Sequence, residues 1–492
     1  MSFTSSYEKR GGSDMSPDYI FWNGTVISNT SSDLSSVGVA QPDPPVRFNE
    51  TRDTAFVDDV TQYHYSINRF TVNGPGINLP ILIPSIQLGQ SDVDLTTYSV
   101  ALTYQQTWDL SSGAHVSFAV TPPPVFIRWS PECRNPYVAP APALPLVTQD
   151  ITTRYYYLSS YNWFMTLVNT ALTTANQRLY DNFKAAWLTD PNVILSGDPF
   201  PYPTLADFNG NIANTPQMSY DSVTGLFSLW MDSRAYGPPL SAYISPPGPP
   251  TAITNPQCRL FFNTNMFGLF STFPNIYWNQ TAPLQQLVLG GQTLEAFPLA
   301  TPPGYTYEML VMANFYQNVV DYRLSPFGNP GDQVPTPVVP IALQQPYYQL
   351  IQEYPSTSVL WSPIESIVFT STLLPIRSEQ VAAPTLLGTS NNNSSAATSA
   401  SNFSPIITDI ALDTTAGPGA GSYRQFISYV PSGEYRMADF CASQREIREI
   451  DIQIYFKMRL TGELIPMTLY NLSSVSIKLM LRHKRVKDKS GI

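Results

Sequence analysis

The sequence predicts a mainly β protein of the antiparallel β-sandwich or jelly-roll type, with one long helix inserted after the first β region. Three observations carry this. Proline supplies 46 of the 492 residues, and a residue that lacks an N–H and locks φ interrupts helices wherever it falls in their interior. Short alternating apolar segments recur with turn signals between them, the pattern of a sandwich rather than of parallel βαβ units. Aromatic residues reach 13% and charged residues only 13%, against about a quarter charged in an average domain; this chain has the apolar surface for large cores, which a disordered chain lacks.

The elements follow in chain order. Residues 1–17 hold little to bury and read as a mobile amino-terminal arm that orders only against a neighbour. Tyr19–Trp22, an Asn23-Gly24 turn signal and Thr25–Ile27 fit a hairpin. Tyr63–Val72, Thr97–Tyr104 and His115–Val120 alternate as strands, and Leu79–Ile83, bounded by Pro80 and Pro84, fits an edge strand. Residues 121–145 are proline-rich and read as a stiff connector. From Ser160 to Leu188, Tyr161, Phe164, Val168, Leu172, Leu179, Phe183 and Trp187 recur at three- and four-residue steps until Asp190-Pro191; this predicts a helix whose apolar face packs on a sheet.

Beyond the helix, Met218–Tyr220 and Leu226–Met231 flank a hairpin loop ending in Gly225. Arg259–Phe262 and Met266–Phe270 form an aromatic cluster suited only to core or interface. Ile364–Leu373 is a buried-type run, and the charge-free stretch between Glu379 and Asp409 reads as an exposed loop. Ile450, Ile452, Ile454 and Phe456, then Val475, Ile477, Leu479 and Leu481, alternate on either side of a turn at Thr461-Gly462. The last fifty residues therefore read as one half-buried antiparallel unit. The domain organisation expected is an arm (1–17), a β-sandwich region (18–150), a helix plus β-hairpin insertion with a proline-rich connector (151–255), a second β-rich region completing the sandwich (256–481) and a basic tail (482–492).

Residues that carry chemistry are scarce. The three histidines, His64, His115 and His483, have no metal-ligating neighbours at suitable spacing. Cys133, Cys258 and Cys441 are odd in number and far apart, which excludes a disulfide framework and leaves one bridge open. Phosphate-loop, dinucleotide, nucleophile-elbow and HExxH patterns are absent. Asp58-Asp59 and Glu446/Glu449 are the best local carboxylate groupings and fit solvated positions. Nothing here demands catalysis or a cofactor. Asn-X-Ser/Thr matches at Asn23, Asn29, Asn49, Asn279, Asn393, Asn402 and Asn471 read as turn chemistry. The amino terminus has no apolar signal-peptide core, which points to synthesis in a reducing compartment, and no apolar stretch approaches the roughly 18 residues of a membrane span.

The net charge of −10 argues against a general nucleic-acid-binding surface. One local exception exists, because six of the 26 basic residues fall between Lys478 and Lys489. Arg482, Lys484, Arg485, Lys487 and Lys489 are the candidate contacts to nucleic acid or an acidic inner-shell protein, and the bland alternative is a solvated end.

The run Val46–Arg52 leading into Tyr63–Phe70, the Leu79–Pro84 segment, and Glu434–Arg436 through Leu481 resemble virion structural proteins of icosahedral DNA viruses with jelly-roll capsids, of the Polinton-like virus and virophage kind. The resemblance implies a non-enzymatic penton-type or other minor capsid subunit, located in the virion after assembly inside the host cell. It also implies a homo-oligomer whose partners are other capsid proteins. No Arg-Gly-Asp motif occurs, so receptor binding of that type is not implied. Aromatic strand faces fit equally a receptor- or carbohydrate-binding β-sandwich of the fibre or lectin-like kind, and a polysaccharide-cleaving enzyme is a third, weaker class.

Overall fold

The computed structural model describes residues 17–28, 45–73, 80–89, 91–133, 139–143, 149, 153–221, 223–232, 234–236, 250–252, 254, 256–273, 275–278, 284–287, 307–308, 317–320, 347–353, 361, 363–376, 378–381, 402–411, 426–429, 437–441, 446–459, 462–469 and 473–484. The chain forms two compact units. One combines Met1–Leu79, Ile364–Leu412 and Tyr423–Ile492, and the other combines Pro80–Pro363 with Asp413–Ser422. Positions 150 and 255, taken from the sequence as boundaries, both fall inside the second unit. The arm, apart from Pro17, and residues 382–401 of the charge-free stretch lie outside the described residues.

The first unit is an antiparallel sandwich of two sheets with a separate two-stranded ribbon, Glu379–Val381 paired with Asn402–Ser404, at the ends of the stretch that the sequence reads as a loop. In one, the strands run in the order Tyr19–Ile27, Ser474–His483, Tyr63–Asn73 and Phe426–Tyr429, with Ala438–Asp439 also beside Tyr63–Asn73. The other runs Ile406–Ala411, Ile364–Thr370, Glu449–Met458 and Arg47–Thr51, with Leu464–Pro466 beside Glu449–Met458. Alternation dictates the burial. Ile450, Ile452, Ile454 and Phe456 point into the core from one sheet, and Val475, Ile477, Leu479 and Leu481 from the other. Rings close the gap between the layers, with Phe70 edge-on to Phe369 at 5.1 Å and Trp22 edge-on to Phe48 at 6.0 Å.

This topology corrects two expectations. The last fifty residues are not one antiparallel unit, because Glu449–Met458 and Ser474–His483 stand in opposite sheets; the turn at Gly462, with φ near +70°, joins Glu449–Met458 only to the short Leu464–Pro466 strand. Two one-sided apolar strands bury the same amount whether they lie side by side or face to face, so alternation alone could not choose. Nor does Asn23-Gly24 turn the chain, since Tyr19–Ile27 is one continuous strand paired along its length with Ser474–His483. Gly24 is there for space. A Cβ at this position would lie 2.5 Å from the Trp22 indole and 2.7 Å from the Phe48 ring. Asn23 and Asn49, read from the sequence as turn residues, are likewise exposed strand positions.

The second unit contains the helix. α1 (Tyr161–Thr189) begins after Ser160 and ends at Asp190. The Asp190 side chain accepts hydrogen bonds from the N–H groups of Asn192 and Val193 and so starts α2 (Pro191–Ser196), which Gly197 closes with φ near +69°. Phe164, Val168, Leu172, Leu179 and Trp187 are all buried. They face a sheet built around the long strand Leu95–Asp109, which pairs with His115–Val120, Gln257–Asn263 and Val125–Arg128. The packing is aromatic: Trp187 meets Trp108 at 5.4 Å and Phe118 at 5.1 Å, while Phe164 and Phe227 meet Trp361 at 5.2 Å. The hairpin Gln217–Asp221/Leu226–Asp232 forms as expected, with Gly225 at φ near +72° and its N–H donating to Asp221.

Two further expectations for this unit change. Residues 121–145 are not wholly connector, because Val125–Arg128, the proline-free stretch after Pro124, joins the sheet and leads to the buried Trp129. Ile81 and Leu82 are buried but lie in an isolated bridge and not a strand; among the described residues their backbone bonds to that of Leu158, as flanking prolines cannot extend a ladder.

Two substitutions check the sandwich. Ile452→Ala should cost about 2–5 kcal/mol in a denaturant titration, because Ile452 is fully buried. Gly24→Ala should cost about 1–3 kcal/mol by overpacking; an unchanged midpoint would mean that the Trp22–Phe48 contact has slack.

Candidate assembly surface

The strand Tyr19–Ile27 alternates in exposure as well as in sequence. Trp22 and Gly24 face the core, while Tyr19, Phe21, Asn23, Thr25 and Ile27 face outward. Three of the outward positions are large and apolar, with Tyr19 42%, Phe21 46% and Ile27 67% exposed. The Tyr19 and Phe21 rings lie parallel with centroids 6.2 Å apart, and the Lys478 ammonium sits 4.2 Å from the centre of the Phe21 ring. Among the described residues this strand is paired on one side only. A long strand with an open edge and exposed aromatics is a template for association.

The ends of the described chain meet beside it. The Tyr63 hydroxyl donates to the Pro17 carbonyl at 2.9 Å, and the His483 N–H donates to the Asp18 carbonyl at 2.8 Å. The Lys484 N–H donates to the Gln62 carbonyl at 2.8 Å. The Asp439 carboxylate then lies against two side chains, with Lys484 Nζ at 2.7 Å and His64 Nδ1 at 3.0 Å. The hydrogen bond and charge of Lys484 hold the Asp439 carboxyl below the usual carboxylate range.

These contacts locate the basic candidates. Arg482 is a strand residue, buried opposite His64, with Nη1 3.8 Å from the Met437 sulfur. Lys484 is the partner of Asp439. Arg485, Lys487 and Lys489 lie outside the described residues. Charge also divides between the sheets of the sandwich. Strands of the first carry Arg69, Lys478 and Arg482 against Asp439; strands of the second carry Glu50, Glu365, Asp409, Glu449 and Asp451 against Arg47 and Lys457.

The candidate chemical groups named from the sequence are held in structural contacts. Among the described residues no cluster of three or more His, Cys, Asp or Glu could hold a metal ion. His115 pairs with Asp109 at 3.5 Å, Asp59 caps the turn at Thr61, and Glu446 pairs with Arg448 at 3.1 Å. The Cys258 thiol is buried, which pushes its pKa far up and disfavours the nucleophilic thiolate.

Sequence reading missed two buried carboxylates. Asp451 sits where alternation predicts an outward polar residue, yet it is wholly buried. It accepts hydrogen bonds from Ser371 Oγ at 2.6 Å, Thr372 Oγ1 at 2.7 Å and the N–H groups of Thr372 and Leu373 at 3.1 and 2.8 Å. Burial raises its pKa, but these donors outweigh burial and leave it lowered. In the second unit, Asp232 and Arg234 form a buried pair at 2.6 Å; Arg234 also donates to the Asn209 and Gly210 carbonyls, and Asp232 accepts from Asn214. The local Asp-X-Arg spacing was the available signal for this pair. No local signal marks Asp451, whose partners lie about 80 residues away.

The first unit is an antiparallel two-sheet sandwich with an open, aromatic-bearing strand, the type of fold on which jelly-roll capsid subunits are built. The comparisons make that class particular. The family model described as Sputnik minor capsid protein V18/19 matches residues 20–483, and the chain belongs to this family. An uncharacterised protein, V18 of Sputnik virophage, is 31% identical over 133 residues, which are 27% of this chain and 71% of that protein. A chain in the cryo-EM structure of the Sputnik virophage shares the fold, with a TM-score of 0.57 and 21% identity over 95% of this chain and 99% of that one. The mavirus penton protein aligns over 95% of this chain and all of that one, with a TM-score of 0.47 and 14% identity. The protein is thus a capsid component of the virion.

The Asp451 hub has a pH signature. A carboxyl whose folded pKa is lowered stabilises the protein above its unfolded pKa of about 3.9, and this contribution is lost as pH falls through the folded value. Asp451→Asn should cost about 1.5–3 kcal/mol at pH 7 and flatten the acid side of a stability–pH profile. An acid limb as steep as in the parent would show that other carboxylates dominate it.

Proposed function

We propose that this protein is a non-enzymatic virion subunit, of the penton type or at another minor capsid position, that forms a homo-oligomer and contacts other capsid proteins through its sandwich and its amino-terminal arm. The single observation that carries this reading is the family match across residues 20–483, which takes in segments of both units. The same match gives no support to a receptor- or carbohydrate-binding module. Supporting it from the residues are the exposed aromatics of Tyr19–Ile27 and an aromatic content of 13%, as assembling surfaces are enriched in such side chains.

The basic tail has an inward role in this proposal. Arg482 is committed to the strand and Lys484 to Asp439, so contact with packaged nucleic acid or an acidic inner-shell protein falls to Arg485, Lys487 and Lys489. Replacing these three with Gln and comparing particle assembly and nucleic-acid retention across a salt series tests it. Loss at low salt is expected, because counterion release is strongest there; identical behaviour at every salt concentration would leave the tail a solvated end. For the subunit role itself, sedimentation of the full chain should give a closed oligomer, and a monomer at every concentration would contradict it.

A further inference from the structure

We infer that the corner where α1 meets α2 is a lipid-contacting prong, whose Leu188, Ile194 and Leu195 side chains enter the interfacial layer of an electrically neutral bilayer. The inference goes beyond the subunit reading above and does not depend on it.

Exposure comes first. Leu188, Ile194 and Leu195 are 56%, 64% and 84% exposed, and all three belong to the last turn of α1 or to the short α2 that follows it. A single exposed Leu needs no explanation, whereas several large apolar side chains gathered at one place mark an interaction surface. The base beneath them is fixed. Trp187 and Val193 are buried, with the Trp187 ring 6.2 Å from Phe183 and 6.1 Å from Phe200. The Gly197 N–H donates to the Val193 carbonyl at 2.9 Å and closes α2. Turning the exposed side chains inward would break that packing.

The surroundings decide the partner. Polar groups at the corner are already used within the protein: Asp190 accepts from the Asn192 and Val193 N–H groups, Asp198 accepts from the Ser111 N–H at 2.8 Å, and the Thr189 hydroxyl donates to the Ala185 carbonyl at 2.9 Å. Thr189, Asn192 and Ser111 are exposed and uncharged, so they can lie among headgroups without a charge being desolvated. A protein interface takes about 20–30 residues a side, far more than three prongs supply. A bilayer needs no matching pocket, and its grip grows with the apolar area inserted. Charge then selects the lipid. The unit that carries this corner holds 8 basic and 17 acidic residues, a net of −9. Anionic membrane surfaces attract basic segments, so they repel this unit, and a zwitterionic surface does not.

The experiment floats the full chain with vesicles of phosphatidylcholine, and with vesicles in which phosphatidylserine replaces part of it, over a lipid concentration series at low and high salt. Leu188→Ser/Ile194→Ser/Leu195→Ser should weaken binding to phosphatidylcholine at least tenfold. Val223→Ser, at an exposed apolar position of a hairpin loop in the same unit, should bind as the parent does. Circular dichroism and thermal unfolding check that each variant folds; should the triple variant not fold, Leu195→Ser alone repeats the test with a side chain that has little packing to lose, and should weaken binding about threefold. High salt should leave the parent's binding to phosphatidylcholine intact. A parent that does not float with phosphatidylcholine overturns the inference, as does a folded corner variant that floats equally well. Tighter binding to the phosphatidylserine vesicles, lost at high salt, would show that cations elsewhere hold the membrane and would overturn it too. None of these outcomes bears on the oligomeric state, so the subunit reading stands or falls separately.

Discussion

The pairing of Tyr19–Ile27 with Ser474–His483 is the interaction on which the sandwich depends. Tyr19 stands opposite Arg482 and Ile27 opposite Ser474, so the first and last described strands lie side by side. Through this pairing Trp22 reaches Phe48 in the other sheet, and Ser474–His483 in turn pairs with Tyr63–Asn73. Loop-closure entropy does not forbid so distant a contact. Each tenfold increase in loop length costs only about 2 kcal/mol, which is less than burying two or three large side chains returns. The same arithmetic explains why the chain can run through Pro80–Pro363 before it returns to the strands of the sandwich.

Where the sheets need irregular backbone, buried charge holds it. Asp451 gathers the hydroxyl and N–H donors of the turn after Ile364–Thr370, and Asp232 with Arg234 ties the end of a hairpin to the carbonyls of Asn209 and Gly210. Burying an ion is costly unless nearly every lone pair is used. Both sites meet that condition with several short hydrogen bonds, so each fixes one local geometry. The surface follows a different rule, leaving Tyr19, Phe21 and Ile27 in water on an otherwise well-packed strand.

What could be read from the sequence was whatever has a period. The helix over Ser160–Leu188 agrees with Tyr161–Thr189 to within one residue, because seven apolar positions repeat on one face and Asp190-Pro191 ends it. The inward set Ile452, Ile454, Ile477 and Leu479 was legible for the same reason. Sheet membership was not, since period-two patterns say which face is apolar and nothing about which strand lies alongside. Gly24 looked like a turn because its short-range signal is that of a turn, whereas its cause is the Trp22 and Phe48 rings. Of the basic candidates, sequence could count the charges but could not see that Arg482 belongs to a strand and Lys484 to Asp439.

Hydrogen exchange followed by mass spectrometry tests the central claim most directly, because it reports the opening of each strand separately. If the terminal pairing closes the sandwich, peptides covering Tyr19–Ile27 and Ser474–His483 should exchange together, and as slowly as those covering Tyr63–Asn73 and Glu449–Met458. Rapid exchange of Tyr19–Ile27 while the other three remain protected would contradict the account, since it would show a sandwich that stays closed without its first strand.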